Sequence, residues 1–497
     1  MKNRFLSTLP LLLLLVLGFE SQAQPKQKPN VLFIVVDDMN TWGLVKDYPV
    51  LKVPNLRKLL SQSLYFQNAT CAAPKCIPSR ASFFSGKYPH NSGVYQNGPN
   101  VWGTSDVLTQ VEALPELFKR NGYTTWAGGK TFHVPLPGNR EAEMWDNPVH
   151  HGGYGPWVAR AGQWFDTKPW EGPDSDFTDV VTAEQAMAFL GQQQEKPFFM
   201  YWGLYRPHNP YTAPKRFYDL YDGVTFPMPP GFAANDLNDV PPMGQALTDG
   251  LAPLYRKVPN QEQALQTYLK AYCANYSFAD WSVGRVLDAL EKSPYAQNTL
   301  VIFASDNGFH NGTKNHWTKE TLWEQATTIP LLIRLPNGQG VVCPQTVSLI
   351  DIYPTLVEYC NLSPPKQQLD GLSMMPVLKN PKARWERPGL TTTRENYSAV
   401  RTQQYRYIKY ADGSEELYDH QQDPYELKNL AQQISLKPVM VSLAKQVPRQ
   451  FKKSVPVKGD ASDAGGHAAA GEAPAKKKGG KKVGAAEGKK RKAQNQE

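Results

Sequence analysis

Two short runs constrain the fold most, because each is a continuous apolar segment rich in β-branched residues that ends abruptly in acidic side chains. Val31-Leu32-Phe33-Ile34-Val35-Val36 runs into Asp37-Asp38, and Leu300-Val301-Ile302-Phe303-Ala304 runs into Ser305-Asp306-Asn307-Gly308. A strand covered on one face alternates polar and apolar positions; a run with no polar position predicts a strand buried on both faces, as in the middle of a parallel sheet. In open α/β sheets the functional crevice lies at the carboxyl ends of the strands, so both acidic ends reach one place. A single strand followed by Asp-Asp is commonly a solvated loop. Two of them bring four oxygen donors, Asp37, Asp38, Asp306 and Asn307, within reach of one hard divalent cation.

Helices fit between these strands. Gln261 to Leu290 carries apolar residues at spacings near three and four, and Glu112 to Arg120 predicts another helix that stops at Asn121-Gly122. Leu136 to Pro173 is crowded with Gly, Pro and Trp and has little periodicity, which predicts a structured surface insertion able to shape a pocket. After about residue 368 the texture becomes short β-prone runs, Leu390 to Thr393, Tyr397 to Thr402, Tyr405 to Lys409 and Glu416 to Tyr418, which predict an antiparallel meander. The expected fold class is therefore α/β: a large mixed, mostly parallel sheet flanked by helices over 25–367, with a smaller antiparallel-sheet domain over 368–450.

The chain has 497 residues and a formal charge of +9, which would suggest a nucleic-acid partner if the charge lay on the folded part. It lies instead at the end: from Lys452 to Glu497 there are 12 Lys/Arg against 5 Asp/Glu. That Ala/Gly/Lys-rich stretch has too little apolar surface to fold, so 451–497 is expected to be a disordered basic tail. At the other end, Lys2 and Arg4 precede an apolar run from Leu9 to Leu17 and the small-residue site Ser21-Gln22-Ala23, which predicts a cleaved export signal over 1–23. The run is too short to span a bilayer, so an exported protein, periplasmic or secreted and without stable membrane insertion, is expected. The five cysteines form no C-x-x-C pattern; a Cys343 to Cys360 bridge stays open, since spacing alone does not establish one.

The segment that carries chemistry is Cys76-Ile77-Pro78-Ser79-Arg80-Ala81-Ser82-Phe83-Phe84-Ser85-Gly86. Separately its residues are unremarkable: buried Cys is often an inert small hydrophobe. Together, C-x-P-S-R with Gly at the sixth place after Arg resembles the signature of the type I sulfatases of the alkaline-phosphatase-like superfamily, in which the Cys is oxidised to formylglycine. The resemblance covers nearly the whole folded chain. Asn30 to Asp38 and Val301 to Gly308 resemble the family's two metal strands, Gly129-Lys130-Thr131-Phe132-His133 its sulfate-binding segment, Tyr205-Arg206-Pro207-His208-Asn209-Pro210 with Lys215 its leaving-group histidine segment, and Trp317-Thr318-Lys319 its last lysine motif. Glu416-Leu417-Tyr418-Asp419 and Asp423-Pro424-Tyr425-Glu426 resemble its C-terminal close. The step from Lys130 to His133 and the Arg-Pro-His-Asn-Pro segment are most similar to the iduronate-2-sulfatase branch, although Asn307 stands where that branch has His and Arg206 where it often has Lys.

The resemblance implies sulfate-ester cleavage on a sulfated carbohydrate, after maturation by a formylglycine-generating enzyme or an anaerobic sulfatase-maturating enzyme. It implies one Ca2+ held by Asp37, Asp38, Asp306 and Asn307 with position 76 completing the set, sulfate contacts from Arg80, Lys130 and Lys319, a proton for the leaving oxygen from His208, and a base in His133. The residue types meet the physical demands. A hydrated aldehyde offers one hydroxyl to attack sulfur and a second to release the product, an exit a thiol lacks. A divalent ion lowers the nucleophile's pKa, and fixed cations match the sulfuryl oxygens. His90, His310 and His316 have no comparable motif support. Two other classes stay open at this point: a phosphodiesterase or phosphonate monoester hydrolase of the same superfamily, and a non-catalytic glycan-binding surface protein, against which the full set of catalytic residue types argues.

Overall fold

Residues 28–44, 48–156, 167–248, 251 and 260–457 are described by a computed structural model. The expected signal segment, the middle of the 136–173 insertion and the basic residues beyond 457 lie outside the described residues. Among the described residues thirteen strands occur in this order: β1 (Asn30–Asp37), β2 (Leu64–Thr70), β3 (Thr124–Gly129), β4 (Phe198–Pro207), β5 (Thr299–Ser305), β6 (His310–Asn311), β7 (Trp317–Thr318), β8 (Leu331–Arg334), β9 (Val341–Ser348), β10 (Gly389–Arg394), β11 (Tyr397–Arg401), β12 (Tyr405–Lys409) and β13 (Glu415–Asp419). Seven of them form one sheet in the order β3-β4-β1-β5-β8-β2-β9, in which only β8 runs against its neighbours. Strands β10 to β13 form the separate antiparallel meander.

The two runs that open the sequence reading are neighbours at the centre. Val36 of β1 is in register with Ser305 of β5, so both chains leave the sheet at one level and on the same side. All eight residues of β1 are buried, and their side chains divide between two layers. Leu32, Ile34 and Val36 join a core with the helices Thr178–Leu190 and Gln261–Lys292, whereas Val31, Phe33 and Val35 join another with the helices Cys76–Ser85, Leu114–Arg120 and Ile352–Tyr359. This three-layer arrangement explains the absence of alternation, since neither face of β1 meets water.

The meander is joined to the large domain through buried charge. Arg406 pairs with Glu324 and, at 2.6 Å, with Glu426, while Arg401 reaches Glu324 at 3.1 Å and His420 lies 2.9 Å from Glu426. Lys314 and Asp236 form a second fully buried pair at 2.7 Å. On the opposite face of the meander, the helix Lys437–Ala444 packs Met440 and Leu443 onto Val400, Tyr407 and Leu417.

Two expectations need correction. The tail does not leave the fold at 451: the Lys452 amide donates to the His90 carbonyl (2.8 Å), the Val455 amide to the Gly93 carbonyl (2.9 Å), and Val455 is buried in the second core. Composition over the whole tail hid this strap, because buried Val455 gives its first residues an apolar anchor and the 90–93 backbone gives them partners. The helix expected over 112–120 begins at Leu114 instead, with Glu116 turned back to accept from the Ala113 amide at 2.6 Å and Glu112 outside it bonded to Arg120. None of the five cysteines is in a disulfide, so the open Cys343 to Cys360 bridge is not formed. Among the described residues no helix is long and apolar enough to cross a membrane.

Candidate active site

Cys76 is the first residue of the helix Cys76–Ser85, which points its amino end at the carboxyl ends of β1 and β5. The first amides of a helix have no partner within it. Here the Ile77 amide donates to Asn97 Oδ1 at 3.1 Å, and Pro78 has no amide hydrogen to satisfy. The helix ends at Gly86, whose φ of +70° is left-handed and whose missing Cβ would lie 2.4 Å from Leu369; this accounts for the glycine after the motif.

Lys130 is delivered by a second close approach. Gly129 at the end of β3 has φ +76°, and a Cβ on Gly203 of β4 would stand 1.8 Å from the Lys130 carbonyl, so the two chains pass backbone to backbone. The Lys130 amide donates to the Gly203 carbonyl at 2.8 Å, and its ammonium then reaches Asp37 Oδ2 at 2.5 Å.

Around Cys76 the structure assembles an alternating set of charges. Asp37 Oδ1 lies 3.4 Å from Sγ, and Lys319 Nζ lies 3.1 Å from Sγ while donating to both oxygens of Asp38 at 2.7 and 2.8 Å. Arg80 is wholly buried: Nε donates to Asp306 Oδ2 at 2.8 Å, and one terminal nitrogen donates to the carbonyls of Lys130 (2.6 Å) and Thr131 (3.0 Å) and to the Tyr201 hydroxyl (2.9 Å). His208 follows β4. Its Nδ1 donates to the Asn209 carbonyl, Nε2 faces Asp38 Oδ2 at 3.5 Å, and its ring lies against Tyr154. His133 is three residues beyond Lys130, buried, with a left-handed backbone at φ +74°.

Burial raises the Asp37 carboxyl, but Lys130, His208, Arg80 and Lys319 together outweigh it and hold the group well below the usual carboxylate range. Asp306 is pushed up to about 7, by burial first and then by the charge of Asp37. The Cys76 thiol is raised by burial and by Asp37 despite Lys130 and Lys319, so an unmodified Cys76 would be a poor nucleophile at neutral pH. Ligand atoms of Asp37, Asp38, Cys76 and Asp306 all lie within 4.8 Å of one another. Asn307 stands beside them: its amide nitrogen donates to Asp38 Oδ1 at 2.7 Å, and its buried Oδ1 has no hydrogen-bond partner among the described residues. Three carboxylates and an unused amide oxygen are the donor set a hard cation takes. These residues fit a bound Ca2+.

The structure thus gathers Asp37, Asp38, Cys76, Arg80, Lys130, His208, Asp306, Asn307 and Lys319 into one cluster. Lys215, by contrast, is exposed and paired with Asp219. Arg206 belongs to the scaffold, donating to the carbonyls of Thr212 and Tyr154. His316 accepts a place beneath Lys319, 2.8 Å from its carbonyl, and His310 is held between Thr313 and Thr321. Several residues that sequence reasoning passed over hold the cluster in shape. Tyr154 accepts from Lys130 Nζ at 3.0 Å and lies 3.5 Å from Asp37 Oδ2. Buried Asp179 accepts from the amides of Tyr205 and Arg206 at 2.8 and 3.1 Å, fixing the end of β4 before His208. Ser79 Oγ donates to the Asp306 carbonyl at 2.5 Å.

Comparison with known proteins agrees with this geometry. The family model described as Sulfatase matches residues 29–362, and that described as N-sulphoglucosamine sulphohydrolase, C-terminal, matches 312–453. A sulfatase of Formosa agariphila is 32% identical over 483 residues, covering 90% of this chain and 92% of its own. The iduronate 2-sulfatase of Homo sapiens is 30% identical over 352 residues, 65% of this chain and 62% of its own. The crystal structure of the phosphonate monoester hydrolase of Agrobacterium radiobacter shares the fold, with a TM-score of 0.68 at 20% identity over 84% of this chain and 94% of its own. With a family model spanning β1, β5 and the Cys76 helix, and a relative matched along almost its full length, the chain belongs to the sulfatase family and is a sulfuric ester hydrolase.

Proposed function

We propose that this sulfatase is exported and removes sulfate from sulfated carbohydrates, using formylglycine made from Cys76 by a maturating enzyme, and one Ca2+ held by Asp37, Asp38, Asp306 and Asn307. The observation that carries the reading is the convergence on Cys76 Sγ of an anionic oxygen at 3.4 Å and a cationic nitrogen at 3.1 Å, within a cluster whose Asn307 Oδ1 has no partner. The sugar assignment draws on the iduronate 2-sulfatase relative, whose name specifies a sugar-acid sulfate.

A formylglycine hydrate supplies a hydroxyl nucleophile and a second hydroxyl for product release. A bound calcium ion supplies charge that favours the ionised nucleophile and offsets that of the sulfate. Lys130 and Lys319 are each paired with one carboxylate and, being almost inaccessible to water, present their charge to sulfuryl oxygens in a low-dielectric setting where it counts most. Arg80 is held by its bonds to Asp306 and to two carbonyls of the Lys130 loop, and its other terminal nitrogen, buried and without a hydrogen-bond partner among the described residues, is left to meet a sulfuryl oxygen. His208 has Nδ1 tied to a carbonyl, which leaves Nε2 to carry the proton for the departing oxygen. His133 is the base that assists product release.

Mass analysis of the peptide containing position 76 tests the reading. Active protein should show a mass about 18 Da below the unmodified value, from exchange of the thiol for an aldehyde oxygen. Full activity in protein whose Cys76 thiol can still be alkylated overturns the nucleophile assignment. Release of sulfate from an aryl sulfate, but from no sulfated sugar in a panel of polysaccharides and oligosaccharides, overturns the substrate class.

A further inference from the structure

Lys75 and Glu320 stand one residue outward from the contact that closes the site. Cys76 and Lys319 meet at 3.1 Å and are almost inaccessible, at 0% and 4% exposure. The residue before the first and the residue after the second are themselves ion-paired at 2.9 Å, with side-chain exposures of 11% for Lys75 and 40% for Glu320. Lys75 Nζ also donates to Gln96 Oε1 at 2.8 Å, and the Glu320 amide donates to the Pro74 carbonyl at 3.0 Å, so the two loops are clamped together at this point. Exposure rises from Lys319 to Glu320, so the pair lies between the buried contact at Cys76 and the surface.

The backbone here is unusual. Glu320 has φ +76° and Thr318 φ +137°, so Lys319 is flanked on both sides by conformations that side chains other than glycine rarely adopt. A left-handed residue of this kind is strained, and glycine would avoid the strain. Strain kept by a charged residue beside reacting groups directs attention to its side chain. A carboxylate at the rim of an anion-binding site also repels its substrate. Its use lies in what it accepts: an exposed carboxylate takes hydrogen bonds from neutral hydroxyls, and the ammonium beside it offers a donor to an ether or hydroxyl oxygen.

We propose that Lys75 and Glu320 form a specificity-determining pair that reads the sugar ring carrying the sulfate, Glu320 accepting from hydroxyls next to the ester and Lys75 donating to a ring or hydroxyl oxygen. The pair selects a ring whose other substituents are neutral and disfavours one bearing a carboxylate or a second sulfate. The inference rests on the carbohydrate reading above, and it separates this chain's preference from that of an iduronate-directed enzyme.

The experiment compares kcat/KM of wild type, Glu320→Gln, Glu320→Ala and Lys75→Met on 4-nitrophenyl sulfate, on galactose and N-acetylglucosamine monosulfates, and on glucuronate 2-sulfate. Wild type should favour the neutral monosulfates over the uronate ester by at least tenfold. Glu320→Ala and Lys75→Met should lose about 10- to 100-fold on the neutral sugars, mostly in KM, and less than about threefold on the aryl ester, which has no hydroxyl to read. Glu320→Gln, which keeps the shape without the charge, should narrow the preference for neutral rings about tenfold. Equal losses on sugar and aryl esters would show that the pair only holds Lys319 in place, and unchanged selectivity would show an ordinary surface ion pair; either result overturns the proposal. If wild type cleaves the aryl ester and no sugar sulfate, the carbohydrate reading itself fails and the proposal with it, an outcome distinct from the other two.

Discussion

Tyr154→Phe isolates how much of the site's power lies in holding Lys130 still. The hydroxyl is buried, accepts from Lys130 Nζ at 3.0 Å and lies 3.5 Å from the Asp37 oxygen to which that same ammonium is bonded. Its removal leaves the Lys130 to Asp37 pair and the ring 5.3 Å from the ammonium intact but takes away one of the ammonium's two hydrogen bonds. A hydrogen bond to a charged group contributes about 1.5–3 kcal/mol, more than twice a neutral one at the low end. If that orientation is needed only when the sulfate is being transferred, the loss falls on kcat. At about 1.4 kcal/mol per factor of ten, kcat/KM on an aryl sulfate should drop about 10- to 100-fold.

Tyr205→Phe is the control. The two rings lie with their centroids 4.9 Å apart, and the Tyr205 hydroxyl donates to the His151 carbonyl at 2.5 Å. Both variants lose a buried hydroxyl, so both should lower the denaturation midpoint slightly, but only Tyr154→Phe touches the charged cluster. Steady-state kinetics with 4-nitrophenyl sulfate, alongside thermal denaturation of each matured protein, separates the effects. A twofold or smaller change in kcat/KM for Tyr154→Phe, or an equal loss in both variants, would refute the claim that the hydroxyl positions Lys130.

Other consequences follow from the same contacts. Asp37→Asn and Asp306→Asn should each reduce turnover by more than a hundredfold and abolish the rise in denaturation midpoint on adding Ca2+; metal analysis and calcium titration in thermal scans would check both. His208→Ala should lose far more on sugar sulfates than on an activated aryl sulfate whose oxygen leaves without a proton, so equal losses would move His208 into sulfate binding. Arg406→Met removes the cation shared by Glu324 and Glu426, leaving Arg401 and His420 as their partners, and should lower stability by up to about 3–5 kcal/mol in denaturant titrations at neutral pH. Burial raises both carboxyls, but Arg401, His420 and Arg406 for Glu324, and Arg406 and His420 for Glu426, hold them below 4.5. Their contribution is therefore present above about pH 4.5 and lost as pH falls below it, so the gap between variant and wild type should shrink in acid. Deleting residues beyond Val457 should leave aryl-sulfate turnover intact while weakening low-salt retention in gels containing sulfated polysaccharide, with unchanged mobility after charge correction counting against a tail that holds substrate.

The legible parts of this protein are those in which one residue's neighbours in sequence decide its surroundings. Val31 to Val36 reads as a doubly buried strand because every residue in it is apolar, and Asp37, Asp38, Asp306 and Asn307 read as a cation site because each sits where a strand must end. The meander is visible for the same reason, strand by strand between turns. Lys130 and Lys319 needed the family motif, since nothing local distinguishes them from other lysines, and the residues that aim them were invisible. Tyr154 lies in a glycine-rich stretch without periodicity, Asp179 lies in the first turn of a helix that never enters the site, and Asn97 is an isolated amide 20 residues from the Ile77 amide it satisfies.

Each of these hidden residues works by satisfying a backbone or charged group that another part of the chain has brought into a place without water. Ile77's amide needs a partner because the helix starts there, and the helix starts there because the ends of β1 and β5 leave room for Cys76 between Asp37 and Lys319. The strap at 452–455 follows the same logic, closing over the 90–93 carbonyls that would otherwise face the solvent beside the loop that supplies Asn97. Composition cannot anticipate such partners, because the demand they meet exists only after the sheet has formed. In the folded cluster three buried cations lie on three buried carboxylates, Arg80 on Asp306, Lys130 on Asp37 and Lys319 on Asp38, while the amide oxygen of Asn307 has no hydrogen-bond partner among the described residues. In the proposed function a divalent ion binds there and a sulfate faces the two lysines, so the three pairs that hold this cluster together are the ones that substrate and metal would reorganise.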